Sequence, residues 1–114
     1  MNKKFNIQDE QYEFPYHYLA QLENNNPKIT EELSWGLDYL TYMDFTINKI
    51  QSLNIKTILD VGCGDGYLLN HLEDNINKEG IDLSTQAIKF ANAFSTSAVF
   101  KEENIFNITK KYDL

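Results

Sequence analysis

The chain contains no arginine, and each of its ten cations is a lysine. Without a guanidinium fork there is no bidentate reading of phosphate or of guanine. Seventeen acidic residues set the net charge at -7, whereas a polyanionic partner needs clustered cations. A nucleic-acid substrate is therefore disfavoured. Cys63 is the single cysteine, which excludes an internal disulfide and fits a reducing compartment. Two distant histidines, His17 and His71, and one thiol do not make a metal site. No apolar run approaches the length needed to span a bilayer, and the basic start Met1-Asn2-Lys3-Lys4 is not followed by a signal-peptide core. These absences read as a cytoplasmic protein without a membrane partner.

What is present is a globular composition, with 42% hydrophobic and 13% aromatic residues in 114 positions. That is one domain or less, long enough for a core. Residues 1–54 divide into an aromatic segment (Tyr12-Glu13-Phe14-Pro15-Tyr16-His17-Tyr18) and an amphipathic helix. Asn26-Pro27 offers a capping side chain followed by proline, which predicts a helix start. Apolar residues then recur at Ile29, Leu33, Leu37, Leu40, Met43, Ile47, Ile50 and Leu53, with Gly36 as a kink or a division. Residues 55–114 alternate strand and helix. Strands are expected at 55–61, 78–83 and 98–101, and a Ser84-capped helix between the last two, with Ile88, Ala91 and Phe94 inward. Strands separated by helices imply an α/β fold with right-handed crossovers and a parallel sheet.

The densest signal is Leu59-Asp60-Val61-Gly62-Cys63-Gly64-Asp65-Gly66. An acidic residue closes an apolar strand, and three glycines follow at alternate positions, where a ligand can lie against the backbone. The turn leads into a helix at Tyr67–Leu72, whose first N–H groups are expected to face that ligand. This strand–turn–helix unit is the nucleotide-cofactor corner of an open α/β sheet. A dinucleotide fingerprint would need its third glycine at Tyr67, not at Gly66, and a phosphate loop would need a lysine after Gly66. Asp60 and Asp65 also put negative charge where a pyrophosphate would sit. A cationic or zwitterionic ligand such as S-adenosylmethionine suits such a turn.

Asp60-Val61-Gly62-Cys63-Gly64-Asp65-Gly66 resembles the first motif of the class I, Rossmann-like S-adenosylmethionine-dependent methyltransferases, acidic-x-Gly-x-Gly-x-Gly. Gly80-Ile81-Asp82-Leu83-Ser84 is similar to their second motif, and Phe100-Lys101-Glu102-Glu103-Asn104-Ile105-Phe106 to the third, with Asn104 where the family usually has Asp. Lys111-Tyr112-Asp113-Leu114 looks like the opening of the next strand. The resemblance implies a partial cofactor-binding domain over 55–114, with about three strands of a larger sheet, and a cover formed by 1–54. It implies that Gly62, Cys63, Gly64 and Gly66 cradle the methionine moiety and that Asp60 meets its ammonium. Asp82 would take the ribose hydroxyls, about twenty residues beyond the turn. Leu83 and Ile105 would flank the adenine, and the Asn104 amide would accept from its amino group.

Chemistry on the acceptor side is nearly blank. The methyl is activated by the sulfonium, so transfer rests on proximity and orientation. His17 is the candidate base, because histidine titrates near neutral pH, while acidic neighbours give Cys63 a packing role rather than a nucleophilic one. The expected function is methyl transfer to a small-molecule or other non-nucleic acceptor. The rival is a non-catalytic, methyltransferase-like interaction module that needs a partner or a missing C-terminal half. A dehydrogenase fragment is opposed by the early third glycine. A truncated sheet would leave its first strand as an edge, which implies an oligomer or a partner that completes it.

Overall fold

The computed structural model describes Asp9 and residues 21–23, 26–28 and 36–114. Two short strands come first, β1 (Gln21–Glu23) and β2 (Asn26–Lys28), paired antiparallel with Gln21 opposite Lys28 and Glu23 opposite Asn26. The helix start expected at Asn26 is thus not there. Proline fixes φ and lacks an N–H, which suits a short edge strand as well as a first helical turn. A two-residue separation between paired runs is hairpin spacing, and here it wins over the capping pattern.

Helix α1 runs over Gly36–Ser52, with Gly36 at its first position. Its apolar stripe is buried only towards the C-terminal end. Ile50 is in the core with Ile47 packed against it, whereas Leu40 and Leu53 are 41% and 47% exposed. Asn54, at φ 53°, follows the last turn. That is the left-handed position at which a helix is commonly closed by glycine or asparagine.

The remainder is an open parallel sheet in the order β3-β4-β5, formed by Thr57–Val61, Asn77–Asp82 and Val99–Glu102. The register pairs Asp60 with Gly80 and Asp82 with Glu102, which puts both acidic strand ends at one edge of the sheet. The crossover helices are α2 (Tyr67–Asn70) and α3 (Thr85–Phe94). Helix α2 is four residues long, shorter than expected; at its end the His71 N–H donates to the Leu68 carbonyl and the Leu72 N–H to the Leu69 carbonyl. Helix α3 follows its expectation. The Ser84 side chain accepts from the Ala87 N–H, and Ala87, Ile88 and Ala91 are buried. Phe94, expected inward, is 42% exposed, so the inner face stops at Ala91.

Phe100 is the centre of the core. It is 5% exposed, and its ring lies where side chains on Gly80 and Gly66 would have to be. A Cβ on Gly80 would come within 2.6 Å of that ring and 3.0 Å of the Cys63 Cβ. The glycine turn, the middle strand and β5 close on one another because these two positions are empty. At the opposite end of β4 the side chain of Lys78 is buried. Its ammonium donates to the Leu72 and Glu73 carbonyls at 3.0 and 3.1 Å, with Asp74 at 3.6 Å. The orphan carbonyls after α2 and the buried cation satisfy each other.

The last residues behave as the opening of a fourth strand. The Leu59 N–H donates to the Leu114 carbonyl at 3.0 Å on the outer edge of β3. The Asp113 carboxylate accepts from the Lys56 and Thr57 N–H groups, and the Asp113 N–H donates to the Thr57 hydroxyl. The edge of β3 is therefore partly paired, where the sequence suggested a fully open one.

Gly80→Ala is expected to cost about 1–3 kcal/mol through overpacking, read as a fall in urea midpoint. Adding Phe100→Leu should return part of that loss. Full additivity of the two costs would contradict the packing described here.

Candidate functional site

The carboxyl ends of β3 and β4 and the segment after β5 enclose a cleft lined by Val61, Gly62, Ile81, Asp82, Leu83, Glu103, Asn104 and Ile105. Its volume of about 170 Å³ is below the roughly 300–1,000 Å³ of pockets that enclose a whole ligand. It is large enough to take one portion of a ligand, not to enclose a whole one. Leu83 and Ile105 are 41% and 43% exposed and supply apolar surface to it. Five of the residues singled out from the sequence (Gly62, Asp82, Leu83, Asn104 and Ile105) meet here.

Asp82 organises the turn. It is 5% exposed, and its two carboxylate oxygens take different partners: Oδ2 accepts from the Gly64 N–H at 2.9 Å and Oδ1 from the Ser84 N–H at 2.8 Å. One side chain thus pins the glycine turn to the start of α3. Each carboxylate oxygen has a second lone pair, so further donors can still be accepted.

The turn's own N–H groups are consumed inside the protein. Gly62 and Cys63 both donate to the Ile81 carbonyl (2.8 and 3.0 Å), and Gly66 donates to the Cys63 carbonyl (3.0 Å). With Gly64 bound to Asp82, four backbone donors of the turn are committed. An anion would need those donors, and a cation would not.

The glycines do separate jobs. At Gly62 (φ 76°) an added Cβ would meet nothing within 4 Å, because that side opens on the cleft. At Gly66 (φ 79°) the same space is filled by Phe100 and Ala91. Gly66 therefore serves core packing as well as the turn. Cys63 is 8% exposed, packs in the core and does not line the cleft. Burial, then the charges of Asp82 and Asp60, push its thiol far above the ordinary range, and a thiolate nucleophile needs the reverse.

Asp60 lies one residue before the end of β3. Burial, followed by the neighbouring charge of Asp82, raises its carboxyl to about 6. Two carboxylates held close in a partly desolvated place disfavour joint ionisation, and a cation placed between them relieves it. Asp65 is buried at 1% exposure and does not line the cleft. The Asn104 side-chain oxygen accepts from the Phe106 N–H at 3.0 Å, capping the 3-10 turn Ile105–Asn107.

Glu103 was missed from the sequence. It lines the cleft, its N–H donates to the Asp82 carbonyl, and its carboxylate accepts from the Asn104 N–H and the Asn107 amide. Those bonds, the Asn107 one foremost, hold it below the usual carboxylate range. Its position directly after β5 was the available signal. His71 donates from Nδ1 to the Tyr67 carbonyl at 2.7 Å, the only role open to that nitrogen opposite a carbonyl, and its ring stacks on Tyr67 at 4.0 Å. His17 lies outside the described residues. Among the described residues no group of three His, Cys, Asp or Glu could hold a metal ion, and no helix is long and apolar enough to cross a membrane.

Known proteins share this arrangement. A family model described as a methyltransferase domain matches residues 53–114, more than half of the chain, and the chain belongs to that methyltransferase-domain family. The 235L protein of Invertebrate iridescent virus 6, named as a methyltransferase, is 33% identical over 81 residues, 67% of this chain and 30% of that protein. The plantazolicin methyltransferase BpumL, in complex with a triazolic desmethylPZN analog and SAH, superposes with a TM-score of 0.53 at 24% identity. That match covers 97% of this chain and 38% of BpumL, and a complex with the pentazolic analog gives the same values. The likeness establishes a Rossmann-like α/β fold. The chain spans a minor part of the length of either relative.

The raised Asp60 carboxyl has a sign for stability. A carboxyl lifted from 3.8 to about 6 on folding stabilises the fold below 3.8, and that contribution is lost as pH rises through about 6. Asp60→Asn should therefore be more stable than wild type at pH 7.5 by on the order of 2 kcal/mol. The advantage should shrink as pH falls through 6 and vanish near 4. Denaturant melts of both proteins across that range check it; a pH-independent difference would contradict the burial of a charged Asp60.

Proposed function

We propose that the chain binds S-adenosylmethionine and serves methyl transfer to a small-molecule or other non-nucleic acceptor. The observation that carries this reading is the polarity of the site: its turn has spent four backbone donors, and the charged residues that line the cleft, Asp82 and Glu103, are both acidic. Asp60 and Asp82 favour a cation, and the net charge of -7 without arginine disfavours a nucleic-acid acceptor. Family membership supports the reaction class. The solved complexes of BpumL with SAH support the choice of cofactor.

In this reading the ammonium of the cofactor lies by Asp60, directly or through a water, and the methionine moiety passes over the open face of Gly62. Ribose hydroxyls donate to the remaining lone pairs of Asp82. Leu83 and Ile105 hold the adenine between apolar surfaces, and the Asn104 oxygen, which already accepts from Phe106, accepts once more from the adenine amino group. Cys63 and Gly66 contribute through the backbone shape of the turn. The bound cofactor supplies a methyl carbon activated by its sulfonium; the chain's own residues bind and orient it. His17 is the base proposed for an acceptor that starts protonated.

Isothermal titration with S-adenosylhomocysteine tests the reading, with binding tighter than millimolar expected; absence of binding at that level would falsify it. Asp82→Ala should weaken binding about 10- to 100-fold, the worth of one or two hydrogen bonds to a charged acceptor. An analogue without ribose hydroxyls separates the two roles of Asp82. If Asp82 holds the ribose, the analogue should bind wild type and variant with nearly the same affinity.

A further inference from the structure

Asp9 reaches the cofactor side of the molecule from 75 residues away in sequence. Its Oδ1 accepts from the Ser84 hydroxyl at 2.6 Å and from the Gln86 N–H at 3.1 Å, at the start of the ten-residue helix α3. Ser84 is 3% exposed and acts as a junction. Its hydroxyl donates to Asp9 and accepts from the Ala87 N–H, and its backbone N–H donates to Asp82 Oδ1. Asp82 in turn holds the Gly64 N–H through Oδ2. An unbroken hydrogen-bonded series thus runs from Asp9 through Ser84 and Asp82 into the glycine turn.

From this series we infer that Asp9 is a positioning residue for the cofactor cleft, one that ties the N-terminal segment to the orientation of Asp82. Three physical features support it. A serine hydroxyl has one proton, and spending it on Asp9 aims the oxygen lone pairs at the Ala87 N–H, which fixes the helix cap. A carboxylate is favoured at a helix N-terminus by the helix dipole, and the bonds from Ser84 and Gln86 hold Asp9 below the usual carboxylate range, with Lys89 adding to them. Leu83, a wall of the cleft, lies between the two residues Ser84 and Asp82 that the series constrains. Coupling of this kind is reciprocal, so a ligand that orders Asp82 also strengthens the Asp9 anchor.

The inference rests on the cofactor reading for its ligand, and two measurements separate them. In titrations with S-adenosylhomocysteine, Asp9→Ala should bind about fivefold more weakly than wild type, the worth of one capping carboxylate. Asp9→Asn, which keeps the accepting oxygen, should recover most of that loss. Ser84→Ala should weaken binding similarly, and the Asp9→Ala/Ser84→Ala double variant no further than either single one. Without ligand, amide exchange at Ser84, Gln86 and Gly64 should be faster in Asp9→Ala than in wild type. Wild-type affinity in Asp9→Ala, or additive losses in the double variant, would overturn the inference. If wild type bound no S-adenosylhomocysteine, the cofactor reading would fall, and unchanged exchange at Gly64 and Ser84 would overturn the anchor independently of it.

Discussion

The two backbone bonds accepted by Asp82 are the constraint on which the cofactor end of this protein depends. A buried carboxylate must be compensated, and here the Gly64 and Ser84 N–H groups do so from opposite sides. Meeting that need fixes where the glycine turn lies relative to the first turn of α3. It also fixes the cleft, because Leu83 is held between Asp82 and Ser84, and Glu103 donates its N–H to the Asp82 carbonyl. Strand, turn, helix and the segment after β5 all converge on one residue.

The same economy sets the electrostatic character of the site. Donors that a phosphate would use are turned inward, to Ile81, Cys63 and Asp82. Asp60, next to the cleft residue Val61 but not itself in the lining, carries a cost of partial burial. In the proposed reading a positively charged group offsets the cost of burying Asp60 beside Asp82. In that reading, function and stability pull in opposite directions at Asp60.

Much of this was legible in the sequence. The alternation of strand and helical stretches after residue 55 pointed to the parallel sheet, since parallel neighbours need a crossover between them. The motif spacing at Gly62, Gly64 and Gly66, with Asp82 at the right distance, drew the cofactor corner, and Gly62, Asp82, Leu83, Asn104 and Ile105 do line one cleft. Less was legible at the start of the chain. Asn26-Pro27 satisfies the rules for a helix cap, but local rules cannot see that residues 21–23 pair with 26–28. Nor could periodicity show that Leu40 and Leu53 stay half exposed, because a stripe says which face is apolar and not how much of it finds a partner.

The sequence by itself determined the order of elements after residue 55, the acidic and glycine-rich character of the turn, and the absence of any guanidinium for phosphate. Those follow from residue type and spacing alone. Only the tertiary structure decided what each glycine is for. Gly62 opens on the cleft and Gly66 is filled by Phe100 and Ala91, a difference set by a ring from a strand more than thirty residues away. Only it showed that the turn's donors are already committed and that Asp9 is tied to Ser84. Hydrogen bonds and close packing between distant residues are settled when the chain folds on itself, and no local pattern records them.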